Sequence, residues 1–258
     1  MRPGSAPIIV EVHALSKSFA AIRAVREIDF VVPTGAIFAL VGPTGAGKTL
    51  TLSMMSGLLR PDYGTVIVHG ADVWAHPEVA KPTMGVLPDR LRLFDRLTGA
   101  QLLYFSATLR GISGPTAASR AEDLIRSFDL GDVADRLVVD FSESRAKMLA
   151  LACAMIHSPR VLILDEPFES IDSVSAAKVT GILQRYAAAG GTVVFSSRNA
   201  ELVEQISTSV ALIANGAVLA SGSLDAVRGA GSLEERFIEF AAGHSSPKGM
   251  EWLHNFSD

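Results

Sequence analysis

Gly42-Pro43-Thr44-Gly45-Ala46-Gly47-Lys48-Thr49 is the stretch that decides how this chain folds. It fits the pattern G-x-x-x-x-G-K-[ST], which cradles phosphate when it joins a buried strand to a helix. Both neighbours fit. Ala36–Val41 before it is a short apolar run, and a helix is predicted after it to about Leu59. Gly42, Pro43, Thr44, Gly45, Ala46 and Gly47 form the candidate cradle. Its glycines let backbone N–H groups curl around phosphate oxygens, and the following helix adds the positive end of its dipole. Lys48 is placed to hold β- and γ-phosphates, and Thr49 to offer a hydroxyl to Mg²⁺. Thr51, on the same helix, is a further candidate contact.

The matching half lies far along the chain, in Val161-Leu162-Ile163-Leu164-Asp165-Glu166. A buried strand here delivers Asp165 to the Mg²⁺ shell. Glu166 is then placed to orient or deprotonate an attacking water. Alone, this could be an ordinary strand ending in acidic turn residues. Paired with the cradle, the catalytic reading prevails.

Around these two points the hydrophobic pattern sets the layout. Ile8–His13, Val25–Val32 and Thr65–Val68 read as strands. Thr98 is the expected N-cap of a helix to about Arg110, and Ala117–Phe128 reads as another. From Ser144 to His157, apolar Met148, Leu151, Ala152 and Met155 follow helical spacing. Gly191–Ser197 is a second buried strand. Val210–Ala220 reads as a hairpin turning at Asn215-Gly216. Beyond Gly222 a helix is expected to about Ala242. Strands alternating with helices imply an α/β fold around a largely parallel sheet. One unit is expected over 1–240, with a core at 1–88 and 159–222 and a helical insertion at 89–158. A polar tail covers 241–258.

Composition excludes several classes. The chain has 258 residues, is 48% hydrophobic and 19% charged, which suits a packed core rather than disorder. The apolar run Leu149–Ile156 is far short of a membrane span. Met1–Pro7 lacks the basic-then-apolar pattern of a signal peptide, which points to the cytosol. The lone cysteine, Cys153, excludes an internal disulfide, and the histidines have no ligand spacing. A net charge of −4 argues against a nucleic-acid binder. Arg90, Arg92 and Arg96 form a local basic cluster in a segment with balancing acids.

These residues together resemble the ATP-binding subunits of ABC transporters. The likeness runs from about Val10 to Phe240. Leu15-Ser16-Lys17-Ser18-Phe19 looks like the family's opening, whose aromatic stacks on adenine, a role that fits Phe19. Leu58 to Val66 is similar to its connection after the first helix. His157 to Leu162 leads into Asp165-Glu166-Pro167 as in the family, and Asp172 falls where its D-loop aspartate lies. Gly222-Ser223-Leu224-Asp225 resembles a phrase of exporter-type members. The resemblance implies a P-loop NTPase of the ABC ATPase type. Such a fold has a RecA-like core, an antiparallel β subdomain and an inserted α-helical subdomain. It also implies Mg²⁺ and ATP held between two head-to-tail subunits, and closure that drives a membrane-spanning permease. The second subunit is an identical or a different chain. The location implied is the cytoplasmic face of the cell membrane.

Three positions depart from the family. Its Leu-Ser-Gly-Gly-Gln signature reads Phe141-Ser142-Glu143-Ser144-Arg145 here. Ser142 is retained and, with Ser144, is a candidate contact to the partner's nucleotide. Glu143 brings a negative charge; at ~6 Å and an effective dielectric of ~20 it repels a phosphate by up to ~3 kcal/mol. Arg145 is expected to offset it. The family's switch histidine is Arg198, a larger and permanent cation. The glutamine at the loop into the helical insertion is Asp89, a shorter side chain that can still reach Mg²⁺ through water. Glu166, Arg198 and Asp89 are therefore the catalytic candidates. Thr49, Asp165 and Asp89 are the metal candidates. These departures imply either neutral changes in a working ATPase or, the sharper reading, an ATP-binding subunit with weak or altered hydrolysis. A non-transport nucleotide sensor is the alternative. A small-molecule kinase or GTPase on the same cradle is disfavoured, since no guanine-reading Asn-Lys-x-Asp is present.

Overall fold

The computed structural model describes residues 6–89 and 92–244, so Arg90 of the basic cluster and the tail from 245 onward lie outside the described residues. Along the chain, β1 (Ile8–Phe19) and β2 (Ile22–Pro33) pair antiparallel. Ile28, Phe30 and Val32 point inward while Asp29 and Val31 face solvent. That is the alternation of a sheet covered on one side. The next strand, β3 (Ile37–Val41), is buried at all five residues. It has parallel neighbours on both edges, and its two faces each lie in a hydrophobic core, so neither meets water.

The phosphate loop follows, then α1 (Lys48–Met55). The helix stops short of the expected Leu59. Gly57 takes φ +73°, its N–H donates to Met54 O, and Leu58 N–H donates to Ser53 O. A left-handed glycine with these two bonds ends a helix. Next come β4 (Tyr63–Val68) and β5 (Ala71–Asp72), which complete a four-stranded sheet in the order β2-β1-β4-β5.

A short α2 (Pro77–Ala80) leads into β6 (Met84–Leu87). This strand has no counterpart in the sequence reading. It forms one edge of the large sheet. Two helices begin the insertion, α3 (Gly99–Leu109) and α4 (Gly114–Ser127). Thr98 caps the first in a capping box with Gln101. The second starts three residues earlier than expected, because Pro115 suits the first turn, where no N–H is needed. Then come α5 (Glu143–Met155) and the fully buried β7 (Val161–Leu164).

The rest alternates regularly: α6 (Ser173–Ala188), β8 (Thr192–Ser197), α7 (Ala200–Ile206), β9 (Ser209–Ala214) and β10 (Ala217–Ser223). Asn215 and Gly216, at φ +50° and +78°, turn β9 into β10 as the dipeptide predicts. The expected tail helix is two helices, α8 (Leu224–Arg228) and α9 (Leu233–His244), parted where Gly229 takes φ +64°.

The large sheet runs β10-β9-β3-β8-β7-β6, parallel except for the β9–β10 hairpin. Its two faces feed two cores. Ile37, Ala39 and Val41 pack among α3, α5 and α6, while Phe38 and Leu40 pack against the antiparallel sheet. Both β3 and β7 thus end at the same edge, where the glycine-rich loop and Asp165-Glu166 follow them. No helix among the described residues is long and apolar enough to cross a membrane.

Candidate functional site

At that edge lies an open cleft of about 360 Å³. Thr44, Gly45, Ala46, Gly47, Lys48 and Thr49 form one wall. Asp89, Glu166, Glu169 and Arg198 form the other.

The loop's shape follows from its glycines. A Cβ on Gly42 would sit 2.0 Å from Ile213 O, so only glycine lets the loop pass so close to β9. Gly47 takes φ +103° as it enters α1, a conformation that side chains disfavour. Gly216 of the hairpin donates its N–H to Ala46 O at 3.0 Å and braces the loop from outside. Gly42 and Pro43 stand behind the cleft and act through their carbonyls, which accept from Lys48 Nζ at 2.7 and 3.1 Å.

Lys48 is only 6% exposed. Burial lowers its pKa, with Glu166 opposing. Glu166 Oε1 lies 3.8 Å from Lys48 Nζ and 3.4 Å from Arg198 Nε. Burial pushes the Glu166 carboxyl up, and the two cations pull it back. Glu166 holds φ +42°, a strained conformation for a side-chain-bearing residue. Its N–H donates to Ser196 Oγ at 2.8 Å, which helps to hold it there. Arg198 is also tied to Glu169, through Nη2 to Oε1. Glu166 and Glu169 push its pKa up, so it stays cationic.

Asp165 lies beneath the cleft, 3% exposed. Burial raises its pKa, while hydrogen bonds from Ser196 and Thr49 lower it. The Thr49 hydroxyl and Asp165 carboxylate thus meet as a hard-oxygen pair, with the Asp89 charge nearby. That donor set suits Mg²⁺, which takes one or two protein oxygens and completes its shell with phosphate and water. Among the described residues, no group of three or more His, Cys, Asp or Glu could hold a metal alone.

Some candidates lie elsewhere. Thr51 is a correction. It is fully buried, and its hydroxyl donates to Gly47 O at 2.9 Å, so it closes a helical turn and offers nothing to the cleft. Phe19 stands at the end of β1, 47% exposed, with Lys17 Nζ 5.7 Å from its ring centroid. It is not part of the cleft wall. Ser142 and Ser144 line a separate cavity of about 280 Å³ with Asp129, Asp172 and Lys178. Ser142 caps α5 by accepting from Arg145 N–H, and Ser144 donates to Asp172 Oδ2 at 3.2 Å.

One charge expectation there is revised. The Glu143 carboxylate accepts from Ser170 Oγ at 2.6 Å and is held on its own chain. Arg145 does not offset it, because its guanidinium is engaged by Asp129 O and, at 3.1 Å, by Asp132. The sequence reading also missed Glu169 and Ser196. The only signals were a third carboxylate three residues past Glu166 and a hydroxyl two residues before Arg198.

Comparison with known proteins gives a consistent result. A family model described as ABC transporter matches residues 25–169. Over 214 residues the chain is 35% identical to the daunorubicin/doxorubicin resistance ATP-binding protein DrrA of Streptomyces peucetius. The match covers 83% of this chain and 65% of that relative, so the chain spans just under two thirds of its length. It is 32% identical to the ABC transporter ATP-binding protein NatA of Bacillus subtilis, covering 80% of this chain and 84% of NatA. A solved ATP binding subunit of an ABC transporter superposes with a TM-score of 0.84 at 27% identity, covering 90% of this chain and 99% of the other.

Proposed function

The chain belongs to the ABC transporter family as an ATP-binding protein, and on that premise we propose that it binds Mg-ATP in the cleft and hydrolyses it to drive a separate membrane permease. The observation that carries this is the Lys48 clamp. A buried ammonium held by two loop carbonyls faces a carboxylate placed between two cations in the cleft wall.

The residues divide the work as follows. The 44–47 backbone and Lys48 hold the phosphates. Thr49 and Asp165 would hold Mg²⁺, with the Asp89 carboxylate close enough to add its charge. The ion, when bound, neutralises charge on the β- and γ-phosphates. Phe19 offers its ring to the adenine. Glu166 orients the attacking water and draws a proton from it. Arg198 binds the γ-phosphate.

Ser142 and Ser144 stand apart from this cleft, which supports a head-to-tail dimer in which they complete the partner's site. The partner is a second copy or a similar chain. The assembly sits at the inner face of the cell membrane, held there by the permease. Hydrolysis is slow in this reading. Glu166 is paired with two cations at rest, which weakens it as a base, and Arg198 cannot switch charge as histidine can. The drug-resistance relative supports export as the direction.

The test is nucleotide binding by the full chain and by Lys48→Ala. The variant is expected to lose ATP binding by about 10- to 100-fold, the scale of a charge-assisted contact to phosphate. Binding equal to the parent's would overturn the cleft assignment. Capture of the native complex, followed by mass spectrometry, tests the transport reading: a polytopic membrane protein is expected. Its absence would favour a free nucleotide sensor.

A further inference from the structure

Glu169 belongs neither to the phosphate loop nor to the strand-end pair Asp165-Glu166, yet it lines the nucleotide cleft. It sits in the turn after β7, where its N–H donates to Glu166 O at 3.2 Å. Its Oε1 accepts from Arg198 Nη2. The same guanidinium places Nε 3.4 Å from Glu166 Oε1, and that oxygen is 3.8 Å from Lys48 Nζ. Charges therefore alternate across the cleft in the order Lys48, Glu166, Arg198, Glu169.

Stability does not explain the outer pair. The side chains of Arg198 and Glu169 are 47% and 43% exposed, and such pairs contribute little to folding. Geometry explains it better. A guanidinium is a rigid planar fork of donors, so fixing Nη2 at one carboxylate also fixes where Nε points. Glu166 is 15% exposed, and its Oε1 lies within ion-pair distance of that Nε. Without the outer anchor, the long arginine side chain could swing freely over the cleft mouth.

On the Mg-ATP reading above, we propose that Glu169 is a positioning residue that tethers Arg198 against Glu166, so that a γ-phosphate must compete with both carboxylates for the guanidinium. A diphosphate has no γ-phosphate and meets no such competition. Glu169 thereby lowers affinity for the triphosphate relative to the diphosphate. The tether makes the cleft selective against premature capture of Arg198.

The experiment measures equilibrium binding of AMP-PNP and ADP, each with Mg²⁺, to the full chain and to Glu169→Gln, Arg198→Gln, the double variant and Glu169→Asp. Both residues are half exposed, so the variants are expected to fold. Glu169→Gln is expected to tighten AMP-PNP about fivefold, the size of a coupling between touching side chains, and ADP by less than about twofold. In the Arg198→Gln background the same change is expected to leave the ratio of the two affinities within about twofold. Glu169→Asp keeps the charge and is expected to stay near the parent. Equal tightening of both nucleotides means a general charge effect and overturns the proposal. So does tightening that persists without Arg198, or none at all. Lys48→Ala separates the two levels. If it binds both nucleotides like the parent, the cleft reading falls and this inference with it. If it loses both while the Glu169→Gln ratio is unmoved, only the role of Glu169 falls.

Discussion

Ser196 donates its hydroxyl to Asp165 Oδ1 at 2.5 Å, with no part of the serine exposed. The serine Oγ in turn accepts the Glu166 N–H at 2.8 Å. One side chain of β8 therefore supports both acidic residues at the end of β7. It orients the candidate metal ligand and helps hold the strained backbone of the candidate base.

Ser196→Ala removes both bonds from a place that water does not reach. Losing a buried bond to a charged acceptor costs about 1–3 kcal/mol. Burial already raises the Asp165 pKa, and Ser196 is one of the groups that lower it. The variant is therefore expected to melt several degrees lower and to need more Mg²⁺ for the same nucleotide affinity. Thermal denaturation and a magnesium titration check this. An unchanged magnesium requirement would remove Ser196 from the site.

The rewritten signature gives a second prediction. Restoring glycine at Glu143 and Ser144, with Arg198→His, is expected to raise hydrolysis severalfold in the assembled transporter. Backbone N–H groups at the start of α5 could then approach the partner's phosphate. The gain is accompanied by a loss. Glu143 accepts from Ser170 and Ser144 donates to Asp172, so both glycines cut links between α5 and the turn before α6. Each glycine in a helix also costs up to about 1 kcal/mol. Faster turnover with a lower melting temperature is the expected pair of results. Unchanged turnover in a confirmed assembly would mean that the three departures are neutral.

Features written in contiguous residues were legible from the sequence. The phosphate loop was, because its strand, glycines and helix are consecutive. The Thr98 cap and the Asn215-Gly216 turn were, because each is a local rule about φ or one hydrogen bond. Edge strand β6 was not, since four residues ending in Leu87-Pro88 carry too little pattern, and pairing with β7 makes them a strand. Glu169 and Ser196 were missed for a related reason. Their roles exist only once β7 and β8 lie side by side. Thr51 was misread because its spacing from Lys48 does not reveal that its hydroxyl turns back to Gly47. Arg145 was misread because its partners, Asp129 and Asp132, lie across a helix end.

Asp172 supplies a pH prediction. It caps α6 by accepting from Ser175 N–H at 2.9 Å, and this bond is the main cause of a pKa lowered from 3.8 to about 2. The folded chain therefore binds this proton less readily than the unfolded chain. The stabilisation is fully present above pH 3.8 and is lost as pH falls toward about 2. Asp172→Asn keeps a capping oxygen but no charge. Its melting deficit against the parent is expected to be constant near neutrality and to shrink below pH 3.8. A deficit that stays constant through the acid range would assign the effect to shape alone.

The loop glycines separate two physical roles. A Cβ at Gly42 would lie 2.0 Å from Ile213 O, a backbone atom of a central strand that cannot yield. Gly45 would meet nothing within 4 Å, but it holds φ +80°. Gly45→Ala is therefore expected to cost about 1–2 kcal/mol, the strain of a left-handed residue, and to weaken nucleotide binding modestly. Gly42→Ala carries a clash instead. The loop must move off β9, and the Gly42 carbonyl that accepts from Lys48 moves with it. A loss of about 1–3 kcal/mol or more is expected, along with most nucleotide affinity. Melting temperatures and ATP titrations of the two variants check the ordering. If Gly45→Ala proves the more damaging for binding, the cradle depends on backbone conformation more than on its seat against β9.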